Sequence, residues 1–186
     1  NAGEFYEASL TREGWITANE QVLVAQFKKT GTPSGLPGGG VGSQVGDPFM
    51  MVIPTVEQYD KGYRFINAQV RDVGVAGNQA FTEHYVTIVI HTNGVRSLEF
   101  DGQPVPAGAF RPIVNSGYVF GNFRVSGGVH TARGDSAFGI YVYGYGQANS
   151  YGYIGGGKLR VIAPDRDPPQ VVLRPECLAV SGTVLD

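Results

Sequence analysis

The chain has 186 residues, enough for one domain of ordinary size with material left for part of another. Its 14 Lys and Arg against 16 Asp and Glu give a formal charge of -2, and only 16% of residues are charged, which argues against a basic nucleic-acid surface and against a polybasic membrane patch. No apolar run reaches the ~18 residues of a membrane helix, and one cysteine, Cys177, cannot close an internal disulfide or, with three scattered histidines, complete an ordinary zinc ligand set.

With 28 glycines and 11% aromatic residues, the composition points to many turns and many strands. Residues 4–8 alternate weakly, residues 15–18 are rich in β-formers, and Val22, Leu23, Val24, Ala25, Gln26 and Phe27 form a nearly continuous apolar run expected to be a buried central strand. Between Lys28 and Asp47, glycine and proline dominate, and a long loop follows from that composition. Residues 49–53 resume a strand that Pro54 ends, because proline lacks the ladder N–H. Residues 63–67 alternate, with Tyr63 and Phe65 on one face. Residues 84–91 are rich in β-branched residues and read as a strand.

Asn93-Gly94 favours the positive φ values of a tight hairpin turn leading into residues 95–100. Asp101-Gly102 and Gly127-Gly128 mark further turns, with strands at 118–125 and 129–132. Over residues 137–145 the period of two puts Phe138, Ile140 and Val142 on one face and Tyr141, Tyr143 and Tyr145 on the other. No segment carries a sustained helical period. The fold class is therefore all-β: an antiparallel β-sandwich, jelly-roll-like or Ig-like, with Gly-rich loops. At residues 164–170 a stiff, polar, proline-rich segment reads as a linker that closes a first domain at residue 163. Residues 171–186 read as the start of a following β module, or as a C-terminal strand docked back on the sandwich; in the first case Cys177 is expected to pair outside this chain.

The segment from Phe138 to Gly146 (Phe-Gly-Ile-Tyr-Val-Tyr-Gly-Tyr-Gly) and the run Ser150, Tyr151, Gly152, Tyr153 resemble the N-terminal domain of the IgG Fc-binding protein family. The resemblance extends to Ile16 through Ala18 with Gln21 through Phe27 as a strand pair, to Gly46 through Met50 and on to Ile53 through Tyr59, and to Val129, His130 and Thr131, in that order, and covers roughly Ala2 to Gly156. It implies an extracellular or cell-surface role in recognition or adhesion, as in mucus-associated animal proteins and bacterial surface proteins, and brings no catalytic residues. Relatives with further strands before the point matching Asn1 imply that this chain starts inside the domain. The edge left open in that case invites a homo-oligomer or another protein partner.

Tyr141, Tyr143, Tyr145, Tyr151 and Tyr153 form the densest aromatic cluster and are the candidate ligand-binding residues, since tyrosine rings stack on sugars and anchor partners at little entropic cost. The alternative is a packed sheet face whose hydroxyls reach backbone groups. Arg133, Gly134 and Asp135 spell an integrin-type tripeptide, which we read as turn geometry between two strands. His84 and His91, an odd number of residues apart on one strand, face opposite ways and cannot chelate one metal. Asp165 and Asp167 offer the hard oxygen ligands of calcium, against the ordinary reading of two solvated acids. Gly38 to Gly42 lacks the lysine and the helix of a phosphate loop. Glu57, Glu83, Asp101 and Asp135 are the carboxylates from which a glycosidase pair would have to come. The expectation is a non-catalytic module that binds a glycan or glycoprotein, without cofactor, nucleic acid or membrane insertion. The alternatives are a structural or oligomerising module without its own ligand, and a glycan-active hydrolase.

Overall fold

The structure, a computed structural model, describes residues 4–28, 46–70, 80–146 and 149–158, together with the backbone of two strands at 170–176 and 179–185. The glycine-rich stretch 29–45, the proline-rich segment with Asp165 and Asp167, and Cys177 lie outside the described residues. The strands are β1 (Val24–Phe27), β2 (Met50–Ile53), β3 (Asp60–Asn67), β4 (Glu83–His91), β5 (Glu99–Phe100), β6 (Gln103–Pro104), β7 (Arg111–Pro112), β8 (Tyr118–Val125), β9 (Gly128–Gly146), β10 (Asn149–Ile154), β11 (Gln170–Glu176) and β12 (Ala179–Leu185).

Strands β3 to β10 form one curled antiparallel sheet of eight strands, and the 19-residue β9 is its spine. One edge of β9 pairs first with β3, from Gly128 to Phe138, and then with β10, from Tyr141 to Gly146. Its other edge pairs with β5 at Ala132 and Arg133, and with β4 from Phe138 to Tyr145. None of these registers includes residues 134–137. They separate a first half of β9, shared with β3 and β5, from a second half shared with β4 and β10, and the sheet closes on itself around that point into a sandwich. Strands β1 and β2 make a separate two-stranded ladder, as do β11 and β12.

The core follows from alternation. On β4, Val86, Ile88 and Ile90 are fully buried, and Phe138, Ile140 and Val142 on β9 are buried beside them. Tyr63 and Phe65 of β3, with Val95 and Leu98, join them in one cluster. Each such apolar side chain contributes roughly 1.5–3 kcal/mol by leaving water. Phe138 also meets the Tyr63 ring edge-on at 4.9 Å, and the Tyr63 hydroxyl donates to the Phe138 carbonyl at 2.6 Å, which locks β3 across the spine.

Several expectations are corrected. Asn93-Gly94 makes no hairpin: Thr92–Ser97 is a 3-10 helix, and β5 pairs with β9 rather than β4. Gly94 serves close packing instead, since a Cβ there would lie 2.6 Å from that of Ser136. The tight hairpin sits one turn later, where Asp101 (φ 48°) and Gly102 (φ 76°) join β5 to β6 with the two positive φ values of a type I′ turn. The strands expected at 129–132 and 137–145 are one strand, so Arg133, Gly134 and Asp135 lie within β9 and not in a turn. Residues 22–27 are not a central strand: β1 pairs only with β2, and Leu23 and Phe27 are 81% and 68% exposed. Residues 4–8 and 15–18 form no strand.

Candidate functional site

The alternation that buries Ile140 and Val142 turns Tyr141, Tyr143 and Tyr145 to the outer face of the sheet. The register of β4 on β9 sets Tyr85 opposite Tyr143 and Thr87 opposite Tyr141. The Tyr85 and Tyr143 rings stack at 5.5 Å and 16°, and Tyr145 leans on both at 5.9 and 5.8 Å. Tyr141 and Tyr145 are buried, whereas Tyr143 stays half-buried. Beside Tyr141, Tyr59 shares a hydroxyl contact of 3.2 Å.

Polar groups fringe this aromatic floor. The Tyr85 hydroxyl donates to Glu83, whose other carboxylate oxygen is 3.5 Å from the Arg124 guanidinium. Thr87 donates to the Asn122 side chain at 2.7 Å and lies 3.3 Å from the Tyr143 hydroxyl. Across the face, the Lys28 ammonium sits 5.4 Å from the Tyr145 ring centroid, within reach of a cation–π attraction. Burial, and then the Glu83 carboxylate, push the Tyr85 hydroxyl up to about 12; burial likewise raises Tyr141, Tyr143 and Tyr145. All of these phenols are therefore neutral hydrogen-bonding groups at neutral pH.

Tyr151 and Tyr153 stand on the opposite face of β10, so the five sequence-predicted tyrosines do not form one surface. Tyr151 lies opposite Gly144 in the ladder, and a Cβ on Gly144 would overlap its ring. Its hydroxyl accepts from Asn67 Nδ2 at 3.0 Å and from the Ala68 N–H at 3.1 Å, and faces His84 Nδ1 at 3.0 Å. Tyr153 accepts from the Ile66 N–H at 3.0 Å and donates to the Ile66 carbonyl at 2.5 Å, closing backbone groups that β3 presents at its edge. Glycines recur beside these tyrosines because rings lie over them: Tyr59 over Gly139, Tyr151 over Gly144, and Phe49 over Gly152 on the outer face.

The remaining candidates are dispersed. Asp101 and His130 flank a cleft of about 360 Å³ between β5–β6 and β8, lined by Phe100, Val105, Phe123 and Val125. Both imidazole nitrogens are engaged there, Nδ1 with Asp101 at 2.7 Å and Nε2 with the Ser126 carbonyl at 2.9 Å, so the ring offers no base to a substrate. Burial opposes ionisation of Asp101, but hydrogen bonds from His130 and Thr131 outweigh it and hold the carboxyl below its usual range. Of the other acids, Glu83 is bound to Tyr85 and Arg124, Glu57 lies in a 3-10 turn, and Asp135 follows the Arg133 that pairs with Glu99 at 2.7 Å. Among the described residues no group of three or more His, Cys, Asp or Glu could hold a metal ion, and no helix is long and apolar enough to cross a membrane.

Tyr59, Tyr85, Glu83, Arg124 and Phe49 were not singled out from sequence as parts of a tyrosine face. The signal for Tyr85 was present, since it takes the same strand parity as Thr87, but its neighbour depends on the β4–β9 register, which no local pattern reveals. The family described as IgGFc binding protein has a model that matches residues 1–144. The match takes in Tyr85, Tyr141 and Tyr143 and ends before Tyr145 and β10. No curated protein and no solved structure matches the chain.

Proposed function

Because this chain belongs to the IgG Fc-binding protein family, we propose that it is an extracellular, non-catalytic recognition module that binds a glycan or glycoprotein. The site is the outer face around the Tyr85 and Tyr143 pair, with Tyr141 and Tyr145 as its floor and Tyr151 and Tyr153 holding β10 in place beneath it. The observation that carries this reading is the composition of that face. Tyrosine rings on the face opposite Ile140 and Val142, with Tyr143 half-buried and Tyr85, Tyr141 and Tyr145 buried, are edged by a carboxylate (Glu83), a guanidinium (Arg124), a hydroxyl (Thr87) and an amide (Asn122). Sugars present apolar C–H faces ringed by hydroxyls, so an aromatic plane with donors and acceptors at its rim matches both parts of them. Binding of the purified chain to a glycan and glycoprotein array that includes mucin and immunoglobulin Fc tests it, with Tyr143→Ala as the control. A selective signal that the variant loses supports the reading, and an unchanged signal refutes the site.

A second reading, a structural module without its own ligand, is favoured by the burial of Tyr141 and Tyr145 and by the backbone bonds of Tyr151 and Tyr153. Silence across the array from the folded chain would select it. Release of reducing sugar from the same array ligands would instead select a glycan-active hydrolase.

A further inference from the structure

Among the described residues the outward edge of β8 is paired only at its start, where β7 pairs with Val119 and Phe120, while the Ala107–Ala109 turn and the Phe110 ring lie against Gly121 and Phe123. From Gly121 to Val125 no strand pairs with that edge among the described residues. The Tyr118 carbonyl points to it, since it accepts from the Ile113 N–H at 2.9 Å. With the period of two of an antiparallel strand, the backbone groups of Asn122 and Arg124 point the same way. Beside this open stretch lies the cleft of about 360 Å³ between the two halves of the sandwich, with Phe100, Val105, Phe123 and Val125 in its walls. An edge with unpaired backbone groups next to an apolar slot is what a donated strand requires: main-chain bonds for affinity and pockets for alternate side chains.

The same chain carries a segment with the matching pattern. Residues 4–14 form no regular element, and Phe5, Tyr6 and Leu10 are 90%, 91% and 66% exposed. In an extended strand Tyr6, Ala8 and Leu10 share one face and Glu7 the other. The segment is rooted where Trp15 stacks on Tyr118 at 5.0 Å. Between that root and the open stretch, β7 occupies the edge of its own molecule.

We propose that copies of this chain associate head to tail by strand addition. Residues 5–11 of one copy pair along Asn122 to Val125 of the next, seat Tyr6, Ala8 and Leu10 in its cleft, and bring Glu7 to the side of the exposed Arg124. The contact is heterologous, so it builds open chains or rings and not a two-fold dimer.

Sedimentation velocity over a wide concentration range tests this with two variants. Leu10→Asp spoils the donor at a side chain that is 66% exposed, and Arg124→Pro removes an outward N–H from the acceptor edge. The expected result is a mass that rises with concentration for the unmodified chain, monomers for each variant alone, and dimers that grow no further when the two variants are mixed. Slower amide exchange at Asn122 and Arg124 as the unmodified chain is concentrated is the readout that needs no acceptor variant. A monomer at every concentration overturns the proposal. Association that Leu10→Asp leaves unchanged also overturns it, and points to the exposed ladder face of Leu23, Phe27, Met50 and Val52 instead.

Discussion

Removing one hydroxyl separates the inner tyrosines from the outer ones. In Tyr151→Phe the ring still fills the space over Gly144, while Asn67 Nδ2 and the Ala68 N–H lose their acceptor and His84 Nδ1 loses its partner. Asn67 is fully buried and keeps only a long contact of 3.4 Å to the Tyr85 carbonyl. Leaving a buried donor unmatched costs about 1–3 kcal/mol. At ~2–4 °C per kcal/mol for a chain of this size, a cost of ~2 kcal/mol lowers the melting midpoint by roughly 4–8 °C. Tyr143→Phe provides the contrast. Its hydroxyl is 3.3 Å from a Thr87 oxygen whose proton already goes to Asn122 at 2.7 Å, so its loss costs less than about 0.5 kcal/mol. Urea unfolding followed by tyrosine fluorescence, with equal slopes required across the series, gives both numbers. Equal losses for the two variants would refute the division into a structural inner set and an outer face available to ligand.

Two further predictions come from the same layer. Burial, with a smaller effect of the nearby His130, lowers the His84 pKa from 6.5, and its Nδ1 fits the role of acceptor for the Tyr151 hydroxyl. The unfolded chain then takes up the proton first as pH falls below 6.5, so stability is full above that value and declines below it. Calorimetric midpoints measured at successive pH values should show this slope, and His84→Gln should flatten it. Gly144→Ala would drive a methyl into the Tyr151 ring and against the Glu83 carbonyl. Overpacking of this kind costs about 1–3 kcal/mol, readable as a lowered urea midpoint. The same change at Gly14, where a Cβ meets nothing, should leave that midpoint unaltered.

The sequence made legible what depends on period and local turn chemistry. β8 begins and ends at Tyr118 and Val125 as read, and β4 differs by one residue at its start. Phe138, Ile140 and Val142 are buried opposite a tyrosine face, as their alternation requires. What failed depends on partners distant in the chain. Val22 to Phe27 is apolar enough for a core strand, yet its ladder forms with residues 50–53 outside the main sheet. Asn93-Gly94 has turn chemistry, but the pair lies in the 3-10 helix Thr92–Ser97, where Gly94 packs against Ser136. Tyr151 and Tyr153 looked continuous with Tyr141, Tyr143 and Tyr145 because a motif has no sides. The β9–β10 register, with Tyr151 opposite Gly144, sends them to the core face. The cleft with its unpaired edge arises from residues 100–106 meeting 123–130, a juxtaposition that no spacing encodes.

On the proposed function, the half-buried Tyr143, stacked on Tyr85 beside a polar rim, meets a sugar or glycoprotein. Array binding by the unmodified chain, followed by titration of the strongest ligand against Tyr143→Ala and Tyr143→Phe, tests it most directly. A loss of about 30-fold in the alanine variant, equivalent to the ~2 kcal/mol of an interface hot spot, is predicted, with the phenylalanine variant largely retaining affinity and both remaining folded. Equal affinity in all three proteins would contradict the account.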